Sequence, residues 1–311
     1  MMDDTLIKQL PSNAALVRGA KLRDYTTFKL GGACPALVDC PDASTLAETV
    51  ELLHGHSVGF LVVGQGSNLL VADAGIDSVV LRYCAENAPE IEFDGCRVRV
   101  SGNTLLDDLA QLTMQHGLGD LSFCSGIPGT VGGAIAGNAG AFGRQIGDVV
   151  ESVRLLDGKG RTHEVSGSKL GFEYRSSMLK QTGAVVLCTV LQLQPENIQT
   201  MEKEREHILE LRCSKHPDWR TMPCAGSVFR NIEPTSSAER RQAAGWFLEE
   251  AGAKGFRVGG AHLFEKHANI IIAELDATAR DVFDLMEEMI AAVREKFNFK
   301  LEREIKLLGD F

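Results

Sequence analysis

SGIPGTVGGAIAGNAGAF, Ser125 to Phe142, places six glycines in eighteen positions, with a single proline and no charged side chain. A linker or a solvated loop would be more polar, so the composition says that something comes very close to this backbone. There is no Gly-Lys-Ser/Thr ending, which excludes a P-loop and argues against a magnesium-nucleotide hydrolase. With no lysine or arginine in the stretch, a diphosphate bound here would rest on main-chain N–H groups. The residues alone leave two readings open: a backbone cradle for a large ligand, or tight packing of backbone on backbone.

The segments around this stretch decide the fold. On both sides the sequence alternates as half-buried strands do, in IEFDGCRVRV, in VVESVRLLD-GKG-RTHEV with its hairpin turn, and in AVVLCTVLQLQ. A helix predicted over Thr104 to His116, closed by Gly117 at C′, interrupts them. Residues 86–212 therefore read as mainly antiparallel sheet with a helix. Upstream, a strand at ALVDC (Ala36 to Cys40) leads into a helix with a Thr45-x-x-Glu48 capping box, stopping near Gly55, and then into the strand GFLVVG. That is a small βαβ unit within residues 1–85.

Downstream, a charged helical connector over Glu202 to Arg212 opens a third region, 213–298. It ends in a helix where Val282, Phe283, Met286, Met289, Ile290, Val293 and Phe297 recur at helical spacing. The tail, residues 299–311, alternates like a strand, with Leu301, Arg303, Ile305 and Leu307 on one side and Glu302, Glu304 and Lys306 on the other. The predicted class is α+β: a small βαβ subdomain, a mainly antiparallel sheet subdomain, a third α+β domain and a returning C-terminal strand.

At 311 residues the chain is too long for one small core. Its 42 acidic against 32 basic residues give a net charge of −10, which argues against nucleic-acid binding. MMDDTLIKQL lacks the pattern of a signal peptide, and the longest apolar runs, such as Ala184 to Leu191, are too short to span a membrane. A cytoplasmic protein without membrane insertion is expected. The eight cysteines are scattered without a C-x-x-C, so free thiols are expected and no metal site.

Other motifs speak weakly alone. Gly64-x-Gly66 follows a strand, but the third position of a dinucleotide fingerprint is Leu69, so this is not a Rossmann motif. A phosphate-binding turn with Ser67 and Asn68 as polar donors, or a plain turn, remains. Arg175, in FEYRSSM, suits bidentate binding of a carboxylate, or is a surface arginine. Ser227, in CAGSVFRN, lacks a nucleophile elbow and alone reads as a turn serine. His267 and Asn269 precede an apolar strand without a second metal ligand, and Glu304 alone is an ordinary carboxylate.

Taken in order, these pieces resemble the UDP-N-acetylenolpyruvoylglucosamine reductase family, flavoenzymes of peptidoglycan precursor synthesis. The matching stretches are TTFKLGG, LVVGQGSNLL, SGIPGTVGGAIAGNAGAF, FEYRSS, AGSVFRN, GWFLEEAGAKG, HANIII and LEREIKLLG. Both glycine segments occur in other flavin oxidoreductases of the same fold, whereas the Tyr-Arg-x-Ser, Ala-Gly-Ser and His-Ala-Asn pieces narrow the resemblance to the reductase, in its shorter type.

The resemblance implies FAD as cofactor and NADPH as reductant. FAD would be held between the first two regions by Gly64, Gln65, Gly66, Ser67, Asn68 and Leu69, and by Ser125, Gly126, Pro128, Gly129, Thr130, Gly133, Asn138, Ala139 and Gly140. It implies a UDP-sugar substrate in the third region, with Tyr174, Asn231, Lys254, His267 and Asn269 on the substrate side. A monomer is expected, since nothing in the sequence suggests a long apolar assembly face. By the same resemblance Arg175 and Glu304 flank the substrate carboxylate while a hydride reaches the enolpyruvyl carbon, and Ser227 protonates the neighbouring carbon. Glu304 is then protonated or shares a proton.

Two departures stand out. Ile232 and Glu233 come before Pro234 where the family commonly has proline, and Arg303 precedes Glu304 where it commonly has Pro-Glu. Alternation places Arg303 on the opposite face from Glu304. A same-fold oxidase acting on another alcohol or sugar would keep both glycine segments without needing Ser227 or the Tyr174–Arg175 pair. A non-catalytic flavin or nucleotide-sugar binder would have no use for the three reactive residue types.

Overall fold

The alternating segments form a five-stranded antiparallel sheet in a computed structural model that describes residues 4–85, 90–233 and 241–311. Its strands lie in the order Thr162–Ser166, Val150–Leu156, Val185–Gln192, Arg97–Ser101, Ile91–Asp94. The hairpin turn is tied by Asp157, whose Oδ1 accepts from the amides of Lys159 at 2.8 Å and Arg161 at 2.9 Å. The buried face of the sheet packs Val98, Val100, Val153, Leu155 and Leu191 against the Leu106–Gln115 and Val131–Gly137 helices. Gly117 takes a φ of +70° beyond that first helix, the left-handed C′ geometry expected of it.

The two strands of the predicted βαβ unit, Ala36–Asp39 and Phe60–Val63, do run parallel in one sheet. They are not neighbours, because Val79–Arg82 lies between them, and Ala15–Arg18 adds an antiparallel edge. The intervening helix, Ala43–Gly55, corrects the predicted cap. Its N-cap is Asp42, whose Oδ1 accepts from Thr45 N at 2.8 Å; Thr45 is buried inside the first turn, and Glu48 accepts from Ser44 Oγ at 2.9 Å. An aspartate straight after Pro41 starts the helix before the Thr45-x-x-Glu48 pair can. Asp42→Ala is expected to cost about 1 kcal/mol, read as a lower thermal midpoint, with Asn at this position recovering most of it.

These two sheets make up the first of two compact units: the chain up to Gly19, Pro35–Gln65 and Ser78–Arg212. The second comprises Ala20–Cys34, Gly66–Asp77 and Cys213–Phe311. Its centre is the three-stranded antiparallel sheet Arg257–Val258, Ala261–Phe264, His267–Ala273, covered by the Ala279–Phe297 helix. Val282, Met286, Met289, Ile290 and Val293 are buried in this core, as their spacing predicts, and Thr278 forms a capping box with Asp281. The connector helix is longer than predicted, Ile198–Lys215.

The tail is a regular strand only over Lys306–Leu308, which pairs in parallel with Leu69–Val71. Upstream of it Arg303 bridges Phe229, places its guanidinium 5.2 Å from the Phe283 ring and pairs with Glu287 on the Ala279–Phe297 helix. Pro234 and the loop beyond Glu233 lie outside the described residues. Ile232, standing where proline is common, donates its amide to Gln242 O at 2.9 Å, a bond proline could not make. Among the described residues no helix is long and apolar enough to cross a membrane, and no group of three His, Cys, Asp or Glu could hold a metal ion.

Candidate active site

In the first unit the two glycine motifs meet. The Phe60–Val63 strand ends at Gly64, where a Cβ would lie 2.6 Å from Thr130 Oγ1, so only glycine lets this strand end come so near residue 130. Thr130 is the N-cap of Val131–Gly137, its Oγ1 accepting from Gly133 N at 3.2 Å. The second half of the glycine stretch is thus a short helix, anchored by buried Val131, Ala134 and Ile135 at helical spacing. Its first amides are spent within the protein, Val131 N on Thr104 O and Gly132 N on Gly102 O, each at 2.8 Å.

The turn before the helix uses glycine for its conformation, with φ of +71° at Gly126 and +134° at Gly129, beside exposed Pro128. Gly126 N donates to Asp107 Oδ1 at 2.8 Å, and Arg205 grips the same carboxylate with both terminal nitrogens, at 2.7 and 3.0 Å. Burial pushes the Asp107 carboxyl up, but Arg205 and the Gly126 amide outweigh it and hold it below its usual range.

Three buried oxygens around these motifs have no hydrogen-bond partner among the described residues: Gln65 Oε1, Thr104 Oγ1 and Ser125 Oγ. Gln65 follows Gly64, Thr104 accepts the first amide of the helix, and Ser125 opens the turn. A buried polar atom left unsatisfied is costly, so three in one neighbourhood fit a polar ligand that satisfies them. Gly133 is exposed, and a Cβ at Gly137 would meet no atom within 4 Å, which leaves room for close approach. These features fit a large polar cofactor such as FAD.

Beyond the helix, Asn138 takes left-handed geometry at its C-cap, Ala139 N returns to Ala134 O at 2.8 Å, and Gly140 pairs with Gln145. Gly140 O accepts from Arg175 Nη1 at 2.8 Å. Arg175 itself has a φ of +55° and carries its guanidinium 5.6 Å from the ring of half-buried Tyr174. Arg212 stands in the same charged neighbourhood: burial and the Arg175 charge both push its pKa down, and its Nη2 donates to Phe123 O at 3.3 Å. Sequence reasoning missed Asp107, Arg205 and Arg212. Their partners lie far along the chain, and locally they look like ordinary helix-surface charges.

Ser227 and Glu304 belong to the second unit, where the structure sets their segments side by side. Glu304 N donates to Val228 O at 2.8 Å, Arg230 N to Glu302 O at 2.9 Å, and Ser227 bridges Ile270 on the other side. Asn269, only 2% exposed, gives its whole side-chain amide to this segment: Oδ1 accepts from Phe229 N at 3.0 Å and Nδ2 donates to Phe229 O at 2.8 Å. Asn68 Nδ2 reaches Glu304 O at 3.2 Å, and Asn68 O accepts from Lys306 N at 3.0 Å. Gly66 is buried against the 25–26 backbone, where a Cβ would clash with Tyr25 O; Ser67 is half-buried and Leu69 opens the strand paired with the tail.

Of the remaining substrate-side residues, Asn231 Oδ1 accepts from Ala244 N at 3.1 Å at the start of the Ala244–Glu250 helix. Lys254 is exposed on the turn that follows that helix. His267 is half-buried, and burial lowers its pKa, which favours the neutral ring near pH 7. Its Nδ1 accepts from Asn269 N at 3.3 Å, which leaves the proton of the neutral ring on Nε2.

Comparison with known proteins agrees with this geometry. Residues 35–166 match the FAD binding domain family, and residues 217–308 match the family described as UDP-N-acetylenolpyruvoylglucosamine reductase, C-terminal domain. The fold and the cradle therefore define an FAD-dependent oxidoreductase. UDP-N-acetylenolpyruvoylglucosamine reductase 2 of Symbiobacterium thermophilum is 38% identical over 94% of this chain and 92% of its own length. The Bacillus subtilis UDP-N-acetylenolpyruvoylglucosamine reductase is 34% identical, over 93% of this chain and 92% of its own. The crystal structure of the Thermus caldophilus enzyme superposes with a TM-score of 0.77 at 30% identity, covering 96% of this chain and 99% of that one. The chain belongs to the UDP-N-acetylenolpyruvoylglucosamine reductase family.

Proposed function

We propose that this protein reduces the enolpyruvyl ether of a UDP-N-acetylglucosamine to UDP-N-acetylmuramate, with NADPH as reductant, as a cytoplasmic step of peptidoglycan precursor synthesis. FAD, when bound, supplies the two-electron chemistry that takes a hydride from NADPH and delivers it to the terminal alkene carbon of the substrate. Gly64 and Gln65, with Ser125–Gly137, Ala139 and Gly140, hold that cofactor; Gly66, Ser67, Asn68 and Leu69 continue its turn.

Arg175 binds the substrate carboxylate, onto which negative charge moves as the hydride arrives, and stabilises it there as a fixed cation. Glu304 hydrogen-bonds the same developing charge as the protonated acid. Ser227 gives its hydroxyl proton to the carbon next to the carboxylate. Tyr174, Asn231, Lys254, His267 and Asn269 form the substrate side of the site, His267 as a neutral Nε2 donor. The observation that carries this reading is the main-chain pairing of the Ser227 segment with the Glu304 tail. A flavin oxidase acting on an alcohol has no need of that pair.

The purified protein is expected to be yellow, to bleach when NADPH is added without oxygen, and to recolour when the UDP-enolpyruvyl sugar follows. A colourless protein that takes up no FAD, or a bleached one that this sugar leaves bleached, would overturn the assignment.

A further inference from the structure

Arg175 sits in a backbone conformation that a non-glycine residue adopts only when its surroundings hold it there. The turn that carries it is closed by reciprocal bonds, Glu173 N to Ser176 O at 3.0 Å and Ser176 N to Glu173 O at 3.1 Å. Asn138, 1% exposed, fastens that turn from outside: its Nδ2 donates to Glu173 O at 2.8 Å and to Gln145 Oε1 at 2.9 Å, while its Oδ1 accepts from Gly147 N at 3.1 Å. Both amide protons and the oxygen are thus engaged inside the protein. Two residues further on, Gly140 O receives the Arg175 guanidinium, and Ser177 Oγ donates to Ala136 O at 2.9 Å. Lys180 Nζ caps Arg175 O at 2.6 Å from the far side.

The Arg175 turn is therefore attached at both ends and at its side chain to one short stretch, Ala136 to Gly140, with Asn138 at its centre. We infer that Asn138 is a positioning residue for Arg175: its side-chain amide sets where the guanidinium stands, and its part in the site is not contact with the cofactor. This rests on Arg175 acting on the substrate carboxylate. A displacement of the guanidinium by an ångström or so is enough to lose about 100-fold in the step that needs it.

Asn138→Gly is the discriminating variant, because glycine takes the residue's φ of +44° without strain while removing the side chain and the three bonds its amide makes. Asn138→Asp serves as the second, keeping an acceptor for Gly147 N but turning an acceptor towards Glu173 O. Four quantities are measured in each: FAD content, thermal midpoint, the anaerobic rate of flavin bleaching by NADPH, and kcat and KM for the enolpyruvyl sugar. The expected result is full FAD content and unchanged bleaching, with recolouring slowed about 100-fold. The double variant Asn138→Gly with Arg175→Ala is expected to be no slower than Arg175→Ala alone, because two residues acting through one group do not add.

Loss of FAD in Asn138→Asp, or equal loss of both half-reactions, would make Asn138 a cofactor or general structural residue and overturn the inference. So would a double variant whose defect is the product of the singles. If Arg175→Ala cripples recolouring and neither Asn138 variant does, the positioning role fails and the Arg175 reading survives. A fully active Arg175→Ala would sink both.

Discussion

Ser227→Ala is expected to leave bleaching of the flavin by NADPH nearly intact and to slow reduction of the enolpyruvyl sugar by about a thousandfold, within the usual range for removal of a general acid. The two half-reactions separate because only the second consumes a proton at carbon. A serine hydroxyl is intrinsically a poor acid, so its use has to be explained. In the proposed step the enolate to be protonated is strongly basic, and the Ser227 segment is pinned on one side by Asn269 and on the other by the Glu304 tail, which would fix the hydroxyl instead of leaving it to diffuse. Alanine keeps all these main-chain bonds, so the variant tests the hydroxyl and not the fold. Stopped-flow absorbance under anaerobic conditions reads both halves in one experiment. Equal slowing of the two would show that Ser227 supports the site as a whole and donates no proton.

The parts of this design that could be read along the chain are those set by local pattern. The strands around the DGKG turn and the Ala279–Phe297 helix follow from period-2 and period-3.6 burial, and the structure places them where that periodicity puts them. The start of the Ala43–Gly55 helix is ambiguous in the sequence because two capping signals overlap, and the structure shows that the aspartate after Pro41 is the stronger. The Val131–Gly137 helix is harder to see. Three of its seven residues are glycine, which opposes helix formation, and only the Val131, Ala134, Ile135 spacing and the Thr130 cap favour it.

The site follows the same division. Residue types and order bring Arg175, Ser227 and Glu304 to notice, but what holds them is long-range. Asn138 reaches a carbonyl 35 residues on, and Asn269 the Phe229 backbone 40 residues back. No local pattern encodes such pairings, so an asparagine in a glycine-rich stretch reads as a ligand contact when its amide is committed to a distant turn.

The second large effect concerns the Arg175 charge itself. Arg175→Ala is expected to lose about 3 kcal/mol of transition-state stabilisation, about 160-fold in reduction of the sugar, as removal of a preorganised donor from a charge-developing site does. Arg175→Lys is the more informative variant. Lysine meets the same left-handed backbone as arginine at residue 175, so the cost of that conformation is unchanged between them. It also keeps the positive charge. What it loses is the planar fork, with which one terminal nitrogen holds Gly140 O while, in the proposed reaction, another nitrogen binds the substrate carboxylate. A lysine ammonium, being a single point charge, must choose between the two. If orientation matters as much as charge, Arg175→Lys will recover little of the alanine defect in kcat while binding of the carboxylate, read in KM, is largely retained. If lysine restores kcat to near the native value, charge alone does the work, and the tether to Gly140 is incidental to catalysis.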